Sequence, residues 1–325
     1  MERLLKKPLH FAEILDLTFR VIKNHFFKFY LLLLILLAPM FLLSMFFLYL
    51  TGASFISTPL SDGFDAFLGS GLGQNPGYEP SLGSLLAIFG TMLLMMVVSL
   101  VVIPLSQAAV SFGVDQVRKG EEIHVGGLIK KAFSRFWPLF GSSLLYLVIL
   151  TGMYIVTAII ISIFLVFIFG ALEGGSTVGV VIGIILSVIV GLGAIMVMVY
   201  FLIRWGFYFV AIVFEQVAPG LSKSWRLTRR NFWRIFALFL IIMIISYIIS
   251  FVLSLALIFL LGNSILANLI SDLLYIFTLL IFFVAYTIMY FDLRVRNDAA
   301  DLKEMVKEFA EPPATPDDDN GGQEI

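Results

Sequence analysis

Residues 136–172 read FWPLFGSSLLYLVILTGMYIVTAIIISIFLVFIFGAL, and no charged side chain interrupts them. About 20 apolar residues carry a helix across a ~30 Å hydrocarbon core, so this stretch crosses a bilayer with length to spare. After Glu173 a second uncharged stretch, Gly174 to Ile203, follows at once. The two read as a helical hairpin through lipid.

Further uncharged stretches run from Phe29 to Ser61, Pro80 to Val114, Ile235 to Ser271 and Leu273 to Phe291. The chain therefore reads as an all-α integral membrane protein with six transmembrane helices, near 30–50, 84–110, 139–169, 178–203, 236–261 and 270–291. Composition agrees: 60% of residues are hydrophobic and 13% charged, where soluble domains carry about 25% charged residues. The chain has no cysteine, which excludes disulfides, thiol nucleophiles and Cys-ligated metals. A net charge of -1 argues against nucleic acid as a bulk electrostatic partner.

Lys and Arg residues fall into four groups. Arg3, Lys6, Lys7, Arg20, Lys23 and Lys28 precede span one, and Arg118, Lys119, Lys130, Lys131 and Arg135 follow span two. Lys223, Arg226, Arg229, Arg230 and Arg234 follow span four, and Arg294, Arg296, Lys303 and Lys307 follow span six. Arg204 stands alone at the end of span four, and the opposite loops, 51–83, 170–177 and 262–269, hold none. By the positive-inside rule both termini are expected in the cytoplasm. Met1–Lys7 is basic like the start of a signal peptide. The acids and bases that follow, and the length of the first apolar run, predict a retained anchor instead.

Loop 51–83 carries Asp62, Asp65 and Glu79 beside Phe64, Phe67 and Leu68, and is expected to lie on the outer membrane surface. Residues 1–296 form the membrane domain. The tail 297–325 opens with a short helical pattern at Leu302, Met305, Val306 and Phe309, then becomes acidic and Pro/Gly-rich, a composition expected to be mostly disordered.

The entries to spans one, three and five share a pattern. Phe26-Phe27-Lys28-Phe29-Tyr30, Phe136-Trp137-Pro138-Leu139-Phe140 and Phe232-Trp233-Arg234-Ile235-Phe236 each place aromatics at the first, second and fifth positions. Upstream, Leu15, Phe19, Arg20 and Phe26 match Leu221, Trp225, Arg226 and Phe232 at identical spacing. The leads 9–28, 121–135 and 219–234 read as amphipathic helices lying along the cytoplasmic interface, with Phe11, Leu15, Thr18, Ile22 and Phe26 on the apolar face of the first. A threefold parallel repeat follows, with units of about 8–120, 121–215 and 219–296.

Gly175, Gly179, Gly183, Ser187 and Gly191 make a small-residue row at four-residue spacing, expected to pack span four closely against a neighbour. Arg204 lies within the apolar register and snorkels or pairs, and Asp292, at the end of span six, is the expected carboxylate. Arg226, Arg229 and Arg230 are candidates for anionic headgroups. No catalytic constellation emerges. His10, His25 and His124 sit beside basic residues without metal-ligand spacing, and no G-x-S-x-G or P-loop sequence occurs. Neither a metal nor a cofactor is expected.

Lys7-Pro8-Leu9-His10-Phe11-Ala12-Glu13-Ile14-Leu15-Asp16 with Phe19-Arg20, Ser224-Trp225-Arg226-Leu227-Thr228-Arg229 with Asn231-Phe232-Trp233, and Tyr290-Phe291-Asp292-Leu293-Arg294-Val295-Arg296 together carry a resemblance. They resemble the membrane domain associated with glycerophosphoryl diester phosphodiesterases, over nearly the whole chain to about residue 304. The Arg204-Trp205 and Glu215 positions look typical of it as well. Some members carry a phosphodiesterase barrel after the membrane domain. Its metal-binding acids and histidines have no counterpart here, so the resemblance implies a membrane domain without the enzymatic activity. The expected function is a non-enzymatic membrane module that scaffolds a membrane-protein partner or engages anionic lipid headgroups. The alternative is a transporter or lipid-handling protein for a phosphate-bearing or amphipathic substrate.

Overall fold

The computed structural model describes residues 9–50, 55–56, 82–215, 220–261 and 264–310. The readings for most of the loop 51–83 and for the acidic segment 311–325 lie outside these residues.

Nine helices account for nearly all of the described residues: α1 (Phe11–Leu50), α2 (Leu82–Lys119), α3 (Val125–Phe133), α4 (Phe136–Glu173), α5 (Thr177–Trp205), α6 (Tyr208–Glu215), α7 (Leu221–Thr228), α8 (Phe232–Leu261) and α9 (Ile265–Ala310). Six stretches, carried by α1, α2, α4, α5 with α6, α8 and α9, are long and apolar enough to cross a membrane. The chain is thus an all-α multi-pass membrane protein. At ~1.5 Å per residue, the 46 residues of α9 reach roughly 70 Å, so this helix outruns the hydrocarbon and carries Arg294 and Arg296 beyond it.

All three leads are helical, and each is separated from its span by a break. In α1 the break is a kink at His25 (φ -128°, ψ 21°). Ser134–Arg135 separate α3 from α4, and Arg229–Asn231 separate α7 from α8. Side-chain environments repeat as well. Phe27, Trp137 and Trp233 are 75%, 77% and 77% exposed, whereas Phe29, Leu139 and Ile235, two residues on, are buried. The first and fifth aromatics pack on each other in every copy: Phe26–Tyr30 at 5.4 Å, Phe136–Phe140 at 5.7 Å and Phe232–Phe236 at 6.4 Å between ring centroids. Within the leads, Thr18, Leu128 and Ser224 are equivalent and buried, as are Ile22, Ala132 and Thr228.

The leads spend their apolar faces on protein. In the first, Ile14, Leu17, Thr18, Val21 and Ile22 are buried while Phe26 stays exposed, so the buried face is rotated from the expected one. The core lies where α1, α2 and α9 pack together, with α3 and α6 against them. Buried hydroxyls Ser111 and Thr287 join α2 to α9 at 2.9 Å. At Gly113 of α2 a Cβ would meet the Phe29 ring at 2.6 Å and Leu128 at 3.2 Å, so the missing side chain admits α1 and α3 together.

The small-residue row divides. A Cβ at Gly183 would meet Ile168 at 2.7 Å, and one at Gly179 would meet Ala171 at 3.0 Å, so these two do pack α5 closely onto α4. Gly175 belongs to the turn, with φ +67°, and Gly191 has nothing within 4 Å. Ser187 is half-buried and donates to the Ile184 carbonyl of its own helix. The expected continuous seam fails because a row at four-residue spacing drifts by about 40° per step on a helix of 3.6 residues per turn.

Gly113→Val is expected to cost about 1–3 kcal/mol through overpacking at the three-helix contact. Gly191→Val should leave the thermal midpoint of the detergent-solubilised chain unchanged. Equal effects of the two substitutions would refute the assignment of the close approach to Gly113.

Candidate functional site

α5 ends because the chain bends at Gly206–Phe207. A bend inside lipid frees backbone groups that must find partners. Here α7 supplies them. Ser224 Oγ donates to the Arg204 carbonyl at 2.8 Å and accepts from the Phe207 N–H at 3.0 Å. Thr228 also reaches the Arg204 carbonyl, at 3.4 Å, and the Tyr286 hydroxyl donates to the Gly206 carbonyl. These bonds explain the hydroxyls of the Ser224-Trp225-Arg226-Leu227-Thr228 motif, a role that sequence reading missed.

The same contact buries Arg204, 8% exposed, in an aromatic box. Its guanidinium carbon lies 5.0 Å from the Tyr200 ring, 4.9 Å from Trp225 and 5.9 Å from Phe232. Arg204 Nε and Nη1 have no hydrogen-bond partner among the described residues. The expected Arg204–Asp292 pair does not form.

Asp292 is occupied elsewhere, because both of its oxygens already have partners. Buried at 3% exposure, it accepts from the Leu9 N–H at 2.8 Å and pairs with Arg234 at 3.2 Å and Arg296 at 3.0 Å. Both arginines also donate to the Leu9 carbonyl, at 2.5 and 2.6 Å. The i,i+4 spacing of Asp292 and Arg296 was a readable signal; nothing in the sequence pointed to Arg234 or Leu9. Asp115 of α2 was likewise overlooked, although Arg118 and Lys119 follow it at helical spacing and pair with it at 2.7 Å each.

Beside this knot, a cavity of about 400 Å³ opens between α7, the end of α6 and α9. Lys223, Arg226, Arg229, Arg230 and Arg294 line it, so three of its cations are the candidates Arg226, Arg229 and Arg230. Its acids are Glu215 and Asp298. Glu215 is already engaged, by Lys223 at 2.8 Å and the Tyr290 hydroxyl at 2.9 Å. Arg226, Arg229 and Arg294 pair with no carboxylate among the described residues. The cavity is therefore cation-rich, with planar guanidinium donors suited to an oxyanion. Arg204 does not line it: α7 turns Trp225 toward Arg204 and its basic side toward the cavity.

The family model of a domain of unknown function, DUF7847, matches residues 27–293. The chain belongs to that family. Nothing among curated proteins or solved structures matches it. The DUF7847 match opens at Phe27, just past the kink at His25, and closes one residue beyond Asp292. It thus includes α7 and Asp292 and leaves out Arg294 and all of the first lead but Phe27 and Lys28. Among the described residues of this DUF7847 domain, no three His, Asp or Glu residues gather into a metal-binding group.

With no acid beside it, Arg204 is expected to tolerate leucine better than lysine. Leucine keeps the apolar contacts and removes two donor nitrogens that lack a partner among the described residues, at a burial cost of about 1–3 kcal/mol each. Lysine brings a compact, strongly hydrated charge into the same box. Thermal midpoints ordered Arg204→Lys above Arg204→Leu would contradict this reading.

Proposed function

We propose that this chain is a non-enzymatic membrane module whose cation-rich cavity engages an anionic lipid headgroup. The observation that carries the reading is the set of guanidinium groups, Arg226, Arg229 and Arg294, that have no carboxylate partner among the described residues and line a cavity of about 400 Å³. A headgroup phosphate supplies the acceptor oxygens that the protein withholds, and guanidinium binds such oxyanions through paired N–H donors. The cavity lies at the end of the bundle where the cationic groups of the described residues collect, and the positive-inside rule assigns that end to the cytoplasm. Anionic lipids give the cytoplasmic leaflet a negative surface potential that attracts such clusters. Exposed Phe27, Trp137 and Trp233 at the span entries suit the headgroup boundary, where amphipathic rings settle. The resemblance to the membrane domain of glycerophosphoryl diester phosphodiesterases supports the same setting, a lipid-facing module without the phosphodiesterase's own chemistry.

Retention of phosphatidylglycerol against phosphatidylcholine, followed by native mass spectrometry of the full chain, tests the reading. Replacement of Arg226, Arg229 and Arg294 by Gln should weaken phosphatidylglycerol retention about a hundredfold, at ~1 kcal/mol per cationic charge removed. Phosphatidylcholine retention should not change. Undiminished phosphatidylglycerol retention by the triple variant would overturn the proposal.

The orientation has its own check. A reporter inserted at Gly120 should behave as cytoplasmic and one at Gly175 as extracytoplasmic; the opposite result would place the cavity on the wrong side for this reading.

A further inference from the structure

The other end of the bundle has the opposite electrostatics. No Lys, Arg or His occurs between Lys28 and Arg118, between Arg135 and Arg204, or between Arg234 and Arg294. The chain linking the spans there carries only acids, Asp62, Asp65, Glu79 and Glu173, and α9 adds Asp272 in its second turn. Asp272 is partly buried, and among the described residues its hydrogen-bond partner is Ser44 Oγ at 3.2 Å. That hydroxyl has one proton and also lies 2.8 Å from the Phe41 carbonyl, so the carboxylate is thinly satisfied.

Asp272 borders a cavity of about 250 Å³ between α8 and α9. Ser250, Ser254, Ser271, Tyr275 and Thr278 add hydroxyl groups to its lining, and leucines fill the remainder. Ser250 and Thr278 bond to each other at 3.2 Å, and each retains acceptor capacity.

We propose that this cavity binds an ammonium group, –NH₃⁺, on the Asp272 carboxylate. A partly buried carboxylate in a region without any cationic side chain calls for positive charge from outside. One carboxylate balances one positive charge, which disfavours divalent cations, whose protein sites gather several acidic ligands. A bare alkali ion would fill a small part of the space and find leucine where it needs oxygen. An ammonium has three N–H donors, enough for the carboxylate and two hydroxyl oxygens, and its carbon chain suits the leucine wall. Asp272 sits near the end of its span, at the level where either an aminophospholipid headgroup or a free amine arrives.

The test uses the full chain in phosphatidylcholine nanodiscs, whose choline groups carry no N–H. At pH 7 and constant ionic strength, ethanolamine should raise the thermal midpoint saturably, and equimolar choline or sodium chloride should not. Asp272→Asn should weaken the apparent affinity about tenfold or more, the usual loss for a charged hydrogen bond. Ser254→Leu, which fills the cavity from α8 and keeps the Asp272 side chain, should abolish the response and covers the case in which Asp272→Asn fails to fold. In phosphatidylethanolamine nanodiscs, loss of the response to free ethanolamine identifies the lipid as the source. A response that persists identifies a free amine. The proposal is overturned if sodium or choline matches ethanolamine, if Asp272→Asn or Ser254→Leu responds like the wild type, or if the wild type responds to no ammonium in either nanodisc.

Discussion

Asp292 fixes how the bundle closes at its basic end. One carboxylate, 3% exposed, joins the start of the first lead through the Leu9 N–H, the start of α8 through Arg234, and α9 through Arg296. Two guanidinium groups facing a single carboxylate would leave a surplus positive charge, and the Leu9 carbonyl absorbs part of it by accepting from both. Such a knot is costly to assemble because three charges leave water together. It is costlier to break: removing one partner of a buried pair typically costs about 3–5 kcal/mol, since the charge left behind stays buried. The contacts also determine position. Arg294, two residues beyond Asp292, and Asn297, which donates to the Leu227 carbonyl at 3.4 Å, hold one wall of the cation-rich cavity against α7.

Around the knot the basic end replaces water with aromatic faces. Arg118 lies 4.3 Å from the centroid of the Phe291 ring, Lys131 lies 4.4 Å from that of Phe112, and Arg204 has three rings about it. A ring face is a weaker partner than a carboxylate but needs no counter-charge, so it holds the buried Arg204 without cancelling its field. Arg118 also pairs with the Asp115 carboxylate, and Lys131 is exposed. The accessible positive charge of this end lies instead in the cavity lined by Arg226, Arg229 and Arg294.

The spans were legible because hydrophobic runs and charge gaps are local properties, and so were the leads, whose aromatic pattern reappears as matched burial at Thr18, Leu128 and Ser224. Partner choice was not legible. Asp292 and Arg204 share a depth in sequence terms, yet one is claimed by Leu9, Arg234 and Arg296 and the other faces Tyr200, Trp225 and Phe232, because the bend at Gly206 and the docking of α7 decide which way Arg204 turns. Gly113 escaped notice for a similar reason. Its role depends on two helices arriving at one side of α2, whereas the more conspicuous row from Gly175 to Gly191 meets its neighbour only at Gly179 and Gly183.

The resulting molecule is unevenly packed, and lipid explains why that is stable. Along α4 only Leu139, Ser142 and Ser143 are buried, all within its first two turns, while apolar side chains such as Val148, Ile155, Ile163 and Phe169 face outward. In water such a surface would drive collapse or aggregation. In a bilayer the tails are as apolar as the side chains, so the hairpin of α4 and α5 gains little by burying itself further, and specific contacts must hold it to the rest. Those contacts concentrate at the basic end: Leu139 and Ser143 at the foot of α4, and the Ser224 hydroxyl clasp at the foot of α5. The clasp therefore has two consequences from one set of bonds. It ties an otherwise lipid-supported hairpin to the core, and it orients α7 so that Trp225 closes over Arg204 while Arg226 turns to the cavity.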